Sequence, residues 1–315
     1  MAKKNYTLHR LLTVDDWLKA RKDHIGGSEI SAILGLNHFM SPNRLWEIKT
    51  GLAAPEPENE SMELGHLLED DVVELLERRT GYRAIKATAG NDIYVSTIYP
   101  FASASPDRIG YLPGTPKKDS NKVIIEIKTT QLNVNEDELP YSWQCQVQWY
   151  MGITGIHKAV IAWLSCGRTF GYKEVDFSQD TFDYMIKAAQ DFMILIRDNI
   201  RPAAMTGKDI DSMYPRHIDG KISETDESTA IDCEQYRDIC KQIRDLEATK
   251  SELAERIKLS IGDSEGISYS NLLLATYKAG KDSSKFDVDA FKNENPDLYN
   301  KYLKTTPGQR RLLIK

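Results

Sequence analysis

The chain has 315 residues, 41% hydrophobic and 28% charged, an ordinary globular balance with room for one large domain or one medium domain and an appendage. Its opening stretch, Met1-Ala-Lys-Lys-Asn-Tyr-Thr, carries no apolar segment, and aliphatic runs such as Leu272-Leu273-Leu274-Ala275 are far too short to cross a bilayer, so a cytoplasmic protein without a membrane partner is expected. A formal net charge of −6 argues against indiscriminate binding of polyanions over the whole surface, but leaves room for a local basic groove or for phosphate bridged by metal ions.

From Thr13 to about residue 200, helical and strand patterns alternate with short connections, which predicts a mixed α/β domain. Thr13, with Asp16 three residues on, opens a first helix that stops by Gly26-Gly27, and a second short helix is expected from Ser28 to Gly35. Ser41-Pro42 opens a third helix closed by Gly51, and Asn59 a long one to about Thr80, with Gly81 as the residue beyond its end. Strands are expected over 101–105, 108–112 and 122–129, the last a β-branched run suited to burial. A helix over 139–151, a hairpin of 158–164 and 170–177 around Cys166-Gly167, and a helix over 179–199 complete the domain, placed at 1–204.

Residues 205–228, where periodicity vanishes, read as a linker. In the remaining region, 229–315, Tyr236, Ile239, Ile243, Leu246, Lys250, Leu253 and Ile257 follow a 3,4 spacing. This is either the seam of a coiled coil or the buried stripe of a helix lying on its own domain. A short strand pair is expected there as well. From Lys278 onward nine Lys/Arg face five Asp/Glu, a basic tail suited to nucleic acid, to an acidic partner or simply to solvent. The four cysteines, Cys145, Cys166, Cys233 and Cys240, form no Cys-x-x-Cys pair. They are expected to be reduced thiols, two of them in core-like surroundings, with neither a zinc site nor a disulfide framework.

The most informative residues are Ser105-Pro106-Asp107 and, after a turn, Val123-Ile124-Ile125-Glu126-Ile127-Lys128. Alternate strand residues share a face, so Glu126 and Lys128 project together with Ile124 while Val123, Ile125 and Ile127 point the other way. Two charges on an apolar strand require solvent, a salt bridge or a metal. Asp107 supplies a second carboxylate, and two carboxylates with a backbone carbonyl form an oxygen-rich site suited to Mg²⁺. Taken singly, Ser-Pro-Asp is a turn and Glu-x-Lys an exposed strand pair; their conjunction is what points to chemistry. A helical projection puts Glu69 inside the apolar arc of its helix, between Leu76 and Met62/Val73, so it needs either a metal or a structural salt bridge. Gly26-Gly27-Ser28-Glu29 before a helix, with Arg21 upstream, makes either a cradle for an anion or a plain loop and cap. Gln146 lies between Trp143 and Tyr150 on the inward face of its helix.

These segments together, Arg21-x6-Ser28, Gly65-His-Leu-Leu-Glu69, Ser105-Pro-Asp107, Glu126-Ile-Lys128 and Gln144-Cys-Gln146-Val-Gln148-Trp-Tyr150, resemble in order the YqaJ viral recombinase family, which includes lambda exonuclease within the PD-(D/E)xK nuclease superfamily. The resemblance covers roughly residues 17–200. It implies a restriction-endonuclease-like mixed central β-sheet flanked by helices, in a Mg²⁺-dependent 5′-to-3′ exonuclease, with Mn²⁺ as the substitute ion. Such an enzyme degrades one strand of double-stranded DNA from 5′-phosphorylated ends. Asp107 and Glu126 would bind the metal with the Ile127 carbonyl and Glu69, Lys128 would position the attacking water, Gln146 would support the site, and Arg21 with Ser28 would hold the 5′-phosphate. The resemblance further implies a homo-oligomeric ring, a trimer, a phage single-strand annealing protein as partner, and a phage or prophage origin in a bacterial host. Arg108 departs from the glycine common after the family's Pro-Asp.

Three alternatives stand beside this. One is an endonuclease on the same fold, structure-selective or restriction-like. Another is a non-catalytic factor that binds DNA ends. A third, an iron-sulfur nuclease, fits poorly with cysteines spaced Cys-x20-Cys-x66-Cys-x6-Cys and none before Asp107.

Overall fold

The β-branched run around Ile124 to Ile127 forms the middle strand of a five-stranded sheet in a computed structural model that describes residues 4–11, 13–85, 92–306 and 308–314. The chain divides into two compact units, Met1–Met213 and Tyr214–Lys315. In the first, the elements run β1 (Tyr6–Arg10), α1 (Val14–Lys22), α2 (Gly27–Ile33), α3 (Pro42–Thr50), α4 (Glu60–Thr80), β2 (Arg83–Ile85), β3 (Asp92–Ser96), β4 (Ser103–Ala104), β5 (Arg108–Tyr111), β6 (Lys122–Thr130), α5 (Tyr141–Thr154), β7 (Lys158–Ser165), β8 (Thr169–Asp176), α6 (Gln179–Arg197) and α7 (Gly207–Met213).

The large sheet has the order β2-β5-β6-β7-β8. All its neighbours are antiparallel except β6 and β7, which are parallel, because α5 carries the chain back across the sheet between them. A smaller antiparallel sheet has the order β1-β3-β4. The alternation of β6 divides the core in two. Ile124 joins a cluster with Ile30 of α2, Val147 and Met151 of α5, and Met185 of α6. Val123, Ile125 and Ile127 pack on the other face with Val72, Val73 and Leu76 of α4. A mixed central sheet flanked by helices is therefore the architecture, as expected.

Local chemistry explains most of the boundaries. Thr13, Ser41 and Asn59 each accept a backbone N–H in the first turn of α1, α3 and α4, and Gly51 and Gly81 end α3 and α4 in the left-handed region at φ 79° and 80°. Cys166 and Gly167, both at positive φ, make the tight turn between β7 and β8. Some expectations change. The second helix starts at Gly27, with Gly26 as its cap. The strand expected over 101–105 shrinks to the two residues of β4, and β1, β2 and β3 were not foreseen. Their sequences are short or polar and their pairing is decided by distant partners. Among the cysteines, Cys145 is half-buried and packs against the larger core cluster, Cys233 and Cys240 are half-buried, and Cys166 is exposed.

The stretch expected as a linker, 205–228, begins inside the first unit. Asp209 of α7 is buried and accepts hydrogen bonds from Ser41 Oγ at 2.6 Å and from the Met205 and Thr206 amides at 3.0 Å each. Arg201 and Ser212 both bond the buried Glu47 carboxylate of α3.

The second unit holds α8 (Glu227–Ile261), the hairpin β9 (Gly266–Tyr269) and β10 (Leu272–Thr276), α9 (Val288–Glu294) and α10 (Pro296–Tyr302). Ser270 and Asn271 turn the hairpin at positive φ. The seam residues of α8, from Tyr236 to Ile257, are exposed. Among the described residues no helix is long and apolar enough to cross a membrane.

Removing the Asp209 carboxylate strands two backbone amides and a hydroxyl, a loss of about 2 kcal/mol. Asp209→Ala is expected to lower the Tm of the first unit by roughly 4–8 °C. An unchanged thermal melting curve would show that α7 is not tied down in this way.

Candidate active site

Glu126 and Lys128 emerge from the same face of β6, toward α5. Glu126 is 1% exposed, and its Oε1 accepts a hydrogen bond from Lys128 Nζ at 2.7 Å. The ammonium also donates to Gln146 Oε1 of α5 at 2.9 Å, and Gln146 Nε2 reaches the hydroxyl of Tyr150, one turn on, at 2.9 Å. Asp107 joins them from the neighbouring strand. Pairing of β5 with β6 ends at Arg108 opposite Ile125, leaving the β6 edge beyond without a backbone partner on that side. The Asp107 carboxylate takes the free Ile127 N–H at 2.7 Å. N–H and C=O of one strand residue face the same edge, so the Ile127 carbonyl is presented to that side too.

The electrostatics are those of carboxylates crowded out of water. Burial, then repulsion by Asp107, raises the Glu126 pKa to about 8 despite the Lys128 ammonium. Burial also raises Asp107, outweighing Lys128 and the Ile127 N–H. For Lys128, burial works against the charge, but Glu126 and Asp107 outweigh it and hold the pKa above the ordinary lysine value. Tyr150 is pushed well up by burial and by the same two carboxylates, which keeps its hydroxyl a proton-bearing hydrogen-bonding group.

Glu126 Oε2 is buried and has no hydrogen-bond partner among the described residues. A buried carboxylate oxygen with no donor has a strong demand for a cation, and an oxygen set of two carboxylates and a carbonyl fits a hard divalent ion that keeps several waters. Glu69 lies near this set, close enough for its charge to raise the Glu126 pKa. Its carboxylate lies 3.6 Å from Arg108 Nη1, and Arg108 Nη2 bonds Asp70 at 2.8 Å. Among the described residues no group of three or more His, Cys, Asp or Glu side chains is arranged to hold a metal ion. Arg108, at the position where the family commonly has glycine, pairs with Glu69 as the salt-bridge alternative expects. Burial, followed by Asp107, still raises the Glu69 pKa. The projection onto an apolar arc is corrected as well: Val73 and Leu76 are buried, but Met62 is 46% exposed, because the first half of α4 extends past the core.

Arg21 and Ser28 meet. Arg21 Nη2 donates to Ser28 Oγ at 2.8 Å, with the Arg21 side chain 29% exposed and Ser28 exposed. The guanidinium stacks on Trp17 at 4.7 Å, and Trp17 Nε1 donates to Ser105 Oγ at 3.3 Å, tying α1 to the loop that delivers Asp107. On the other side, α2 rests on α5. A Cβ at Gly27 would lie 2.9 Å from Tyr150 Cζ, so only glycine allows the approach. Trp17, Lys49 and Tyr150 were absent from the expected site. Tyr150 was signalled by lying four residues after Gln146, and Lys49 by lying three and four residues after the apolar Trp46 and Leu45; Trp17 had no sequence signal.

A family model described as the YqaJ-like viral recombinase domain matches residues 16–157. The chain is 32% identical over 311 residues to the "Uncharacterized protein YqaJ" of Bacillus subtilis (strain 168), spanning 94% of this chain and 92% of that protein. Among solved structures it is similar to an alkaline exonuclease (LHK-Exo) from Laribacter hongkongensis, with 16% identity and a TM-score of 0.46 over 59% of this chain and 94% of that one. It is also similar to a phage related exonuclease from Haemophilus somnus 129PT, with 12% identity and a TM-score of 0.37 over 56% of this chain and 96% of that one.

The raised Glu126 pKa has a definite sign. Between its ordinary value of 4.5 and about 8 the folded metal-free protein holds a proton that the unfolded chain has released, so stability falls as pH rises through this window. In EDTA the Tm is expected to drop between pH 6 and pH 8, and Glu126→Gln is expected to flatten that drop. Parallel curves for wild type and variant would refute the assignment.

Proposed function

The chain belongs to the YqaJ-like viral recombinase family, and on that premise we propose that it is a Mg²⁺-dependent nuclease that digests one strand of linear double-stranded DNA in the 5′-to-3′ direction from 5′-phosphorylated ends. The observation that carries the reading is the orphaned, buried Glu126 Oε2 beside Asp107 and Lys128. Asp107, Glu126 and the Ile127 carbonyl would hold the ion with help from Glu69, and Mn²⁺ would serve as a substitute. Bound there, Mg²⁺ supplies an acidified water and neutralises charge gathering on the phosphate.

The chain's own groups do the rest. Lys128, held by Glu126 and Gln146, keeps its ammonium charged and directed at the water that attacks phosphorus. Gln146 fixes the ammonium, and Tyr150 fixes Gln146. Arg21 and Ser28 grip the terminal 5′-phosphate as a charge-assisted donor pair. The water oxygen bonds to phosphorus and the bond to the 3′-oxygen breaks, which releases a nucleotide and leaves a new 5′-phosphate for the same grip. Family resemblance extends the proposal to a trimeric ring around DNA and to a phage single-strand annealing protein as partner.

The deciding experiment is digestion with Mg²⁺ of three duplexes: linear with a 5′-phosphate, linear with a 5′-hydroxyl, and a closed circle. Rapid loss of only the phosphorylated linear DNA is expected, with Lys128→Ala slower by about a hundredfold or more. Cutting of the circle would make the protein an endonuclease on this fold. Binding of ends without hydrolysis in either Mg²⁺ or Mn²⁺ would make it an end-binding factor.

A further inference from the structure

Arg21 lies near the end of α1 and Ser28 near the start of α2, so their separation depends on the short segment between the helices. That segment is clamped from α3. Lys49 Nζ donates to the Arg21 carbonyl at 2.7 Å and to the His24 carbonyl at 2.5 Å, and it pairs with Glu29 Oε2 at 2.9 Å. An ammonium has three donors, and each finds an oxygen here. The Lys49 side chain is only 4% exposed. Its bonds end on Arg21 itself, on the loop, and on the residue next to Ser28. Glu29 in turn accepts the Gly26 N–H at 2.9 Å, which closes the clamp.

We propose that Lys49 is the positioning residue of the end-phosphate grip, locking the backbone under Arg21 to that beside Ser28 and drawing the Glu29 carboxylate to itself so that its pairing with the Arg21 guanidinium stays long. The inference rests on the reading of Arg21 and Ser28 as that grip. Glu29 Oε1 is 3.8 Å from Arg21 Nη2, farther than the 2.9 Å contact with Lys49. With Lys49 removed, the half-buried carboxylate has Arg21 as its nearest cation, and an anion already on the guanidinium competes with a phosphate for the same donors. The lysine depends on the pair as well: burial lowers its pKa, and Glu29 offsets only part of that. An arginine presents a planar fork and does not reproduce three divergent bonds from one atom.

The test measures binding of labelled linear duplexes bearing a 5′-phosphate or a 5′-hydroxyl, in EDTA so that no strand is cut, together with a thermal melt of every variant. Wild type is expected to prefer the phosphorylated end and Arg21→Ala to lose the preference. Lys49→Met is expected to reduce the preference about tenfold, equivalent to about 1.4 kcal/mol. The double variant Lys49→Met, Glu29→Gln is expected to recover the part of it due to the freed carboxylate, which a lysine serving only stability would not produce. A wild-type preference retained by Lys49→Met, or no recovery in the double variant, overturns the proposal. If Lys49→Met does not fold, Lys49→Arg carries the test: an intermediate preference is expected, and the wild-type value overturns it. Absence of any preference in wild type, matched by Arg21→Ala, would remove the end-phosphate reading itself and the proposal with it. A preference that Arg21→Ala abolishes and Lys49→Met keeps would remove only the role of Lys49.

Discussion

A carboxylate that is 1% exposed, with one oxygen bonded and the other without a donor, is the constraint around which the first unit is built. Placing charge in a sheet interior costs several kcal/mol per ion unless it is compensated. The compensating charge is Lys128, two residues along the same strand, whose ammonium Gln146 holds from the crossover helix, while Asp107, beyond the end of β5, adds a second carboxylate that repels the first. The parallel step from β6 through α5 to β7 puts that helix over the polar face. The antiparallel neighbour stops two residues short of Ile127, which opens the edge Asp107 occupies. Sheet topology and site are thus one solution to one electrostatic problem.

Much of this was legible because it depends on local periodicity. The alternation in Val123 to Lys128 separates two cores and identifies the charged face without reference to any other segment. The side chains of Thr13, Ser41 and Asn59 satisfy amides a few residues away, so their helix starts follow from the sequence itself. The misses share a cause in long-range contacts. β1, β2 and β3 exist through pairing with strands remote in sequence, and α7 holds through Asp209 bonding Ser41, 168 residues earlier. Glu69 was placed in an apolar arc because a projection treats a helix as buried along its whole length, whereas the first half of α4 leaves the core. Its partner is Arg108, a residue noted only as an irregularity. Lys49 and Tyr150 lay on apolar faces that a projection could show, but the oxygens they bind belong to segments whose proximity only folding creates.

The second unit is organised by different forces. Its long helix keeps aliphatic side chains such as Ile239, Ile243 and Leu246 exposed, and its hairpin leaves Leu272 and Leu273 exposed as well. The sequence spacing that suggested a seam is realised as one continuous helix, α8, and the basic excess lies downstream of it, in the residues flanking α9 and α10 rather than in those helices.

The contact between Gly27 and the Tyr150 ring has a dimensional consequence. The helix bearing Ser28 lays its backbone directly on the Tyr150 ring of the helix bearing Gln146, so neither can drift without moving the other. On the proposed activity, the distance from the held end to the cleaved bond becomes a gauge length machined into the scaffold, and fragment size is set by backbone spacing rather than by any reading of bases.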